Sequence, residues 1–368
     1  MSNMFECVDT GWVYRNPRPH IRAVHAWHPT VVRLENGELV CAFDLGQAVE
    51  SLDYRTYVSR SSDGGATWSP PMPLVTEQSA RPATYTVRIS RLSDGGLVGL
   101  GARFYRDDPD EGLTNRANLG LVPMDVILMK SSDGGRTWQG PRTLKPPLVG
   151  PGFEICHAIL ELPDGRWLAP MGTWKGWNGE APNGMKAVAW VSHNRGETWP
   201  EYIDVMDGYA EGIIHFEQSL ARLNDGRLLA VAWAYHEPSG KTRLTPYALS
   251  NDGRTFSRPR TTGLRAQTAK ILVLPDDRIL CLYRRDDKAG LWGTLARIEG
   301  DQWSNLEETA LWLGAPSGMS GRAGGADELS SLKFGFPQMI HLPSGEVFAV
   351  FWCCEDAVYN IRWMRIRV

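Results

Sequence analysis

Apolar residues along this chain fall into short runs that are interrupted by polar two-residue turns. An apolar strand, a turn built on Asp-Gly or a close variant, and a second apolar strand follow one another six times: Val31–Asp44, Ile89–Arg103, Ala158–Thr173, Ser219–Tyr235, Ile271–Arg285 and Met339–Trp352. Such a pair between apolar runs is a strong hairpin signal, because its residues tolerate the left-handed backbone of a tight turn. The pattern predicts six β-hairpins in an all-β protein.

A second motif, Ser-x-Asp-x-Gly-x-Thr-Trp, recurs in step with the first four hairpins. Its copies are Ser61–Trp68, Ser131–Trp138, Ser192–Trp199 with Asn194 in place of the Asp and, in a shortened form, Ser250–Phe256. A short Asp side chain can accept hydrogen bonds from nearby amides, glycine supplies a positive φ, and Thr-Trp returns to a strand. We therefore interpret each copy as a second hairpin turn and not as a source of catalytic carboxylates. A degenerate fifth copy is expected near Ile298–Ser304.

Repetition of a two-hairpin unit at intervals of roughly 60 residues indicates a radial β architecture. Six four-stranded units predict a six-bladed β-propeller that forms a single domain over residues 1–368. After the sixth hairpin, Val358–Val368 supplies one further strand, so the last blade lacks a fourth. We expect the N-terminal stretch Phe5–Tyr14 to complete it, which would remove an exposed sheet edge.

Composition and charge narrow the class of protein. The 38 Gly and 24 Pro suit many turns, and a net charge of −3 argues against nucleic acid as a partner. No apolar run approaches ~18 residues, so no membrane span is predicted. The first residues lack a basic segment followed by an apolar core, which favours a cytoplasmic location. The six cysteines are irregularly placed and suggest reduced thiols, and the sequence predicts no cofactor and no metal.

Asp-pinned turns on a six-bladed propeller resemble the Asp boxes (BNR repeats) of the sialidase, or neuraminidase, superfamily. The resemblance covers essentially the whole chain and implies a carbohydrate-active enzyme with a saccharide or glycoconjugate substrate. Related propellers include other exo-glycosidases, and the motif also occurs in proteins without catalysis. Function therefore has to be argued from the site.

Topology predicts where that site lies. The two kinds of turn mark one face of the ring, so chemistry is expected on the opposite face, at the first residues of each inner strand and after each second strand. Counting back nine residues from each hairpin turn gives one equivalent position per blade: His28, Thr86, Cys156, Glu217, Thr268 and Phe336.

The resemblance implies a role for some of these positions. Similar enzymes carry a glutamate where this chain has Glu217. Their first arginine falls on Trp27 or His28 and their second on Trp233, while their nucleophilic tyrosine falls on Phe336. Their acid/base aspartate corresponds to Asp53. Because neither Trp nor His reproduces bidentate bonds to a sugar carboxylate, and a phenyl ring cannot act as a nucleophile, cleavage of sialic acid by the usual route is not expected.

Two glutamates remain as candidates for glycoside hydrolysis. Glu154 and Glu217 start the inner strands of adjacent blades, so both can point into the mouth of the channel. Paired carboxyl groups are the usual equipment of this reaction, and their separation decides retention or inversion. We expect an exo-acting hydrolase in which Glu154 is the acid and Glu217 the nucleophile or base, with Asp53 as a substitute acid.

Three histidines support an alternative. His28, His157 and His215 all fall at starts of inner strands. Together with Tyr or Arg they could act as base and acid in a lyase that removes the α-proton of a uronate. A metal held by Glu217 and imidazoles is a further alternative, which no HxxxH-type spacing supports. Beside the hydrolase and the lyase, the third hypothesis is a propeller that binds a sugar or protein without catalysing a reaction.

Aromatic and basic residues on the same face are candidates for substrate binding, because indole rings stack on sugars and guanidinium groups pair with acidic sugars. These residues are Trp27, Arg81, Tyr85, Trp174, Trp177, Trp233, Gln267, Arg284 and Phe336.

Overall fold

The computed structural model describes residues 4–77, 79–314 and 332–368. They form six antiparallel sheets arranged as a six-bladed β-propeller, as the repeats predict. The first strand, β1 (Glu6–Tyr14), belongs to the last blade. No helix in the described part of the chain has the length and hydrophobicity needed to cross a membrane.

Blades 1 to 3 follow in chain order. Blade 1 contains β2 (His25–Arg33), β3 (Leu39–Gly46), β4 (Arg55–Ser61) and β5 (Met72–Pro73). Blade 2 contains β6 (Ala83–Arg91), β7 (Leu97–Tyr105), β8 (Met124–Ser131) and β9 (Gln139–Thr143). Blade 3 contains β10 (Gly152–Glu154), β11 (Leu160–Glu161), β12 (Trp167–Trp174), β13 (Ala187–Ser192) and β14 (Glu201–Met206). Its inner strand is split, since β10 and β11 both pair with β12.

Blades 4 to 6 complete the ring. Blade 4 contains β15 (Ile213–Arg222), β16 (Leu228–His236), β17 (Lys241–Thr242), β18 (Pro246–Ser250) and β19 (Arg260–Thr261). Blade 5 contains β20 (Gln267–Val273), β21 (Arg278–Arg284), β22 (Leu291–Glu299) and β23 (Gln302–Trp312). Blade 6 contains β24 (Phe334–His341), β25 (Val347–Glu355), β26 (Val358–Arg367) and β1. Within these described ranges, two short 3-10 helices lie at Tyr209–Glu211 and Glu237–Ser239.

The Asp turns join the third and fourth strands of the first four blades. In blade 1, Asp63 accepts hydrogen bonds from the Thr67 backbone amide at 2.9 Å and the Thr67 hydroxyl at 2.6 Å. These bonds to Thr67 lower the pKa of Asp63 to about 2. The carboxylate therefore stabilises its own turn. The turn lies at the far end of the blade, on the face opposite the starts of the inner strands.

The ring is closed by the N-terminal strand, as expected. β1 pairs antiparallel with β26, in a register that sets Glu6 opposite Arg367 and Gly11 opposite Trp363. Phe5, which precedes β1, is only 1% exposed and packs in the core between blades 5 and 6 with Leu291 and Met364. The closure therefore includes an apolar anchor as well as backbone hydrogen bonds.

We expect Phe5→Ala to lower the free energy of unfolding by about 3–5 kcal/mol, the usual cost of truncating a buried phenylalanine. Chemical denaturation would measure the loss. Met4→Ala is the matched control, because Met4 is 51% exposed and its truncation should change stability little. Equal effects of the two substitutions would show that Phe5 does not anchor the closing strand.

Candidate active site

A cavity of about 290 Å³ opens on the face where the inner strands start and the second strands end. All six blades contribute to its wall. Its principal lining residues are His28, Glu50, Phe104, Glu154, Cys156, Trp174, Phe216, Glu217, Trp233, Tyr235, Thr268, Arg284, Phe336 and Trp352. Aromatic rings and polar or charged side chains share the wall, a combination that is usual for small-molecule sites.

An unusual backbone conformation recurs around the cavity. The residues at the equivalent position of four blades have a positive φ: 49° at His28, 48° at Glu217, 53° at Thr268 and 51° at Phe336. At each of these residues a β-bulge shifts the register between the inner strand and the second strand of the blade. A left-handed non-glycine residue costs of order 1–3 kcal/mol, and such strain clusters at functional sites. The bulges set four side chains into the cavity wall.

Glu217 is tied to both neighbouring blades. Its carboxylate Oε2 accepts a hydrogen bond from the Thr268 hydroxyl of blade 5 at 2.5 Å. Its backbone N–H donates to Glu154 Oε2 of blade 3 at 2.9 Å. The strained bulge is thus held by a hydrogen bond on each side, which fixes the direction of the carboxylate.

Glu154 occupies a different environment from Glu217. Burial, reinforced by the negative charge of Glu217, raises the pKa of the Glu154 carboxyl, although a hydrogen bond from the Cys156 thiol opposes this. The buried Oε1 atom has no hydrogen-bond partner among the described residues. Both observations set Glu154 apart from Glu217, whose Oε2 accepts the Thr268 hydrogen bond.

Two buried cations flank the glutamates. Lys270 is 2% exposed, and its Nζ donates to the carbonyl oxygens of Cys156 at 2.7 Å and Gln218 at 3.3 Å. Arg284 is 5% exposed and donates from Nε to Gln267 Oε1 at 3.0 Å. Burial lowers the pKa of both groups, while Glu217 opposes the shift. Among the described residues, the terminal nitrogens of Arg284 make no hydrogen bond and are free for a ligand.

Asp44, at the end of β3, forms a buried polar cluster that sequence reasoning missed. Its Oδ2 accepts hydrogen bonds from the Tyr54 hydroxyl at 3.1 Å, the Thr86 hydroxyl at 2.8 Å and Arg88 Nη1 at 3.0 Å. Its Oδ1 accepts from the Thr56 hydroxyl at 2.5 Å. Burial opposes ionisation, but the Arg88 charge and the hydrogen bonds outweigh it and lower the pKa of Asp44. Asp44 is therefore a structural anion.

The loop after β3 brings Glu50, and not Asp53, to the cavity. Asp53 is exposed and accepts hydrogen bonds from the Gln47 backbone amide at 3.1 Å and the Ser51 hydroxyl at 2.6 Å. Glu50 Oε2 accepts from the Leu113 amide at 2.8 Å. The carboxyl group that this loop offers to a ligand is thus three residues earlier than the sequence predicts.

The three histidines that the sequence places together do not share one site. His28 lines the cavity, but His157 and His215 do not. His157 Nδ1 contacts the Ala158 carbonyl oxygen at 2.7 Å, and burial with the nearby Lys270 charge lowers its pKa to about 4. His215 faces the other side of β15, in a separate cleft with Arg243 and Arg260, and burial lowers its pKa to about 4. Neither histidine is placed to act with Glu217.

Trp174, Trp233, Arg284 and Phe336 are the predicted substrate-binding residues that line the cavity. Trp233 stacks on Phe216 with ring centroids 4.7 Å apart, and Trp174 meets the same ring edge-on at 5.4 Å. The Arg284 guanidinium lies 5.2 Å from the Trp233 ring. These groups form a continuous aromatic wall with one cation on it.

The other predicted binding residues lie outside this wall. Trp27 is buried against Tyr54 and Tyr359. Arg81 pairs with Asp107 at the surface, at 2.5 Å. The remaining residues serve packing or support: Tyr85 is fully buried between Arg55 and Arg103, Gln267 orients Arg284, and the Trp177 carbonyl accepts hydrogen bonds from Asn115 and Asn118.

The loops that build one side of the cavity are interlocked. Trp174 Nε1 donates to the Leu119 carbonyl at 2.6 Å, and the Leu121 amide donates to the Lys175 carbonyl at 2.9 Å. The Lys175 ammonium in turn pairs with Glu237 in the next blade. These bonds join loops of blades 2, 3 and 4, so this part of the wall is preformed. In the described ranges, no group of three or more His, Cys, Asp or Glu side chains is arranged to hold a metal ion.

Solved structures with a similar fold match most of the chain. A protein of unknown function from Dyadobacter fermentans is 20% identical with a TM-score of 0.75, and the match covers 99% of each chain. The Hadza microbial sialidase Hz136 is 16% identical with a TM-score of 0.67, over 93% of this chain and 65% of that one. Trypanosoma rangeli sialidase in complex with sialic acid is 14% identical with a TM-score of 0.65, over 93% and 54%.

No protein-family model matches the chain, and no curated protein matches it. The chain spans little more than half the length of the trypanosomal sialidase. At these identities the likeness concerns the fold alone. The chain has the six-bladed β-propeller fold of the sialidases.

Proposed function

We propose that the protein is an exo-acting glycoside hydrolase that uses Glu154 and Glu217. The observation that carries the proposal is the pair of carboxyl groups on one cavity wall in contrasting environments. Burial and the neighbouring charge raise the pKa of Glu154, whereas Glu217 accepts a hydroxyl hydrogen bond and lies near two buried cations. Pairs of carboxyl groups whose environments differ in this way divide the roles of acid and base.

In this proposal Glu154 protonates the leaving-group oxygen and Glu217 acts on the anomeric carbon, directly or through water. Glu50 takes the place of Asp53 as the second candidate acid, because Glu50 lines the cavity. The aromatic wall of Trp174, Phe216 and Trp233 provides a stacking surface for a sugar ring. A carbohydrate substrate is also supported by the sialidases among the structural neighbours.

Several positions argue against sialic acid cleaved by the usual route. Phe336 stands where the resemblance implies a nucleophilic tyrosine, and Trp233 where it implies an arginine. Arg284 remains as one guanidinium with free nitrogens on the wall. We infer a substrate that needs at most one cationic contact.

One observation favours a second candidate, β-elimination on a uronate. His28 and Arg284 line the same cavity, and His28 Nδ1 lies 2.6 Å from the Tyr54 hydroxyl. A base and a carboxylate-binding guanidinium are the groups this reaction requires. The unsaturated uronate product absorbs in the ultraviolet, which distinguishes elimination from hydrolysis.

The experiment is a screen of aryl glycosides and oligosaccharides with defined non-reducing ends. Release of a single terminal sugar supports exo hydrolysis, and NMR of the first product gives the anomeric outcome. Release of unsaturated uronates supports the second candidate. Binding of sugars without any product contradicts both reactions.

Glu154→Gln gives a sharper test of the acid role. We expect a large loss of activity on substrates with poor leaving groups, a smaller loss on activated aryl glycosides, and disappearance of the alkaline limb of the pH–kcat/KM profile. The raised pKa of Glu154 also costs stability as pH rises above the ordinary value of 4.5, so the variant should be more stable than the wild type at neutral pH. An unchanged alkaline limb would assign the acid role to another group, with Glu50→Gln as the next variant to measure.

A further inference from the structure

His28 stands at the cavity wall in a left-handed conformation, with φ of 49°. Its Nδ1 atom lies 2.6 Å from the Tyr54 hydroxyl oxygen and 3.7 Å from Asp44 Oδ2. The ring meets Phe336 edge-on at 5.2 Å. Nδ1 is therefore engaged inside the protein, and Nε2 is the nitrogen left for the cavity.

The position of one proton decides what Nε2 can do. Asp44 is ionised beside Arg88 and has no proton to give, so the Tyr54 hydroxyl must donate in its 3.1 Å contact with Asp44 Oδ2. The phenol has a single proton, and its oxygen can then only accept from His28. If the Tyr54 hydroxyl instead directed its proton toward His28, the ionised Asp44 Oδ2 would face a lone pair of the phenol oxygen.

We infer that Asp44 and Tyr54 hold His28 as the tautomer with its proton on Nδ1, so that the bare Nε2 presents a hydrogen-bond acceptor to a hydroxyl group of the sugar in the cavity. The second half of this inference rests on the proposed function, since it requires a sugar ligand. The first half concerns the protein alone. Asp44 and Tyr54 are positioning residues, and His28 is the residue that touches the ligand.

The charged groups around His28 agree with a neutral ring. Burial lowers the pKa of His28, and the Arg88 guanidinium acts in the same direction, whereas Asp44 and Glu217 oppose them. The neutral imidazole has one bare nitrogen, as the acceptor role requires. Lys270 and Arg88 lie 5.0 and 4.9 Å from the ring of Phe336, which the His28 ring meets edge-on.

NMR of the full-length protein with ¹⁵N-labelled histidine tests the tautomer directly, because protonated and bare ring nitrogens have distinct shifts. His28→Gln assigns the signals. We expect Nδ1-protonated His28 in the wild type at neutral pH and a shift toward the other tautomer in Tyr54→Phe. Tyr57→Phe, in the same blade, is the matched control, because no hydrogen bond of its hydroxyl is found among the described residues. An Nε2-protonated ring in the wild type, or no response to Tyr54→Phe, overturns the inference.

The ligand contact is tested with a sugar that binds and its series of monodeoxy analogues. One deoxy position should weaken binding to the wild type about tenfold, the scale of one hydrogen bond, and should have little further effect on His28→Phe, whose ring has no acceptor nitrogen. Equal losses in both proteins at every position would contradict the contact. Because binding is measured, this result is independent of whether Glu217 carries out hydrolysis.

Discussion

Replacement of Glu217 by glutamine is expected to lower the rate of glycoside hydrolysis by roughly a thousandfold or more. The amide cannot become a nucleophile or accept a proton, yet it keeps the size of the side chain and an oxygen for the Thr268 hydroxyl. The backbone N–H that donates to Glu154 is unchanged, so the bulge should persist. Sugar affinity should therefore stay within a few fold of the wild type.

Product release and calorimetric binding would be measured on the same preparation. Glu211→Gln serves as the control, because Glu211 is an exposed glutamate of the separate cleft beside His215. Full activity of the Glu217 variant would refute the role of Glu217. Loss of binding together with activity would instead indicate that this carboxylate holds the ligand.

Asp44→Ala is expected to lower the free energy of unfolding by about 3–5 kcal/mol, since removal of one member of a buried ion pair leaves the other charge without a partner. Arg88 would lose its carboxylate, and the hydroxyls of Tyr54, Thr56 and Thr86 would lose their acceptor. The Asp44 side chain is fully buried, so water cannot replace these bonds without entering the core.

Urea unfolding would give this difference, with Asp53→Ala as the matched control. Asp53 also accepts two hydrogen bonds, but it is exposed and water can replace its carboxylate. A loss below about 1 kcal/mol for Asp44→Ala would mean that Arg88 finds another partner or that the cluster does not support the fold.

The architecture follows from sequence because its signals are local and repeated. Each Asp-Gly turn and each Asp-pinned turn consists of consecutive residues, so the sequence alone reveals it. Six copies of the unit then determine the number of strands closely. The fifth unit shows the limit of this reasoning: near Ile298–Ser304 only a remnant of the motif is present, yet β22 and β23 are full strands joined by a tight turn. The β22–β23 turn contains Gly300 with a positive φ of 59°, and β22 also pairs with β21, so the hairpin forms without the full motif.

The site was predictable only in part, for physical reasons that particular residues illustrate. Counting from the hairpin turns reaches His28, Glu217, Thr268 and Phe336, because in these four blades the bulge lies at the same distance from the turn. The same bulge interrupts the alternation of sides, so Phe216 and Glu217 both line the cavity while His215 faces away. A strict alternation of side chains between the two faces of a strand does not predict this change of side.

Asp44 and Lys270 were missed for another reason. Each lies within an apolar strand, and only contacts with other blades reveal that each is a buried charge. The choice between Glu50 and Asp53 depends on how one loop folds against Leu113, and no spacing in the sequence encodes that contact. Long-range partners, which a single sequence does not display, account for both omissions.

The pairing of β1 with β26 has a consequence for the order of events on the ribosome. Blades 1 to 5 and two strands of blade 6 separate β1 from β26 in the chain, so β1 is translated well before its partner. During that time Phe5 and Trp12 have no blade to cover them. Since unpaired strands with apolar side chains promote association between nascent chains, chaperone protection of this segment should matter most late in translation.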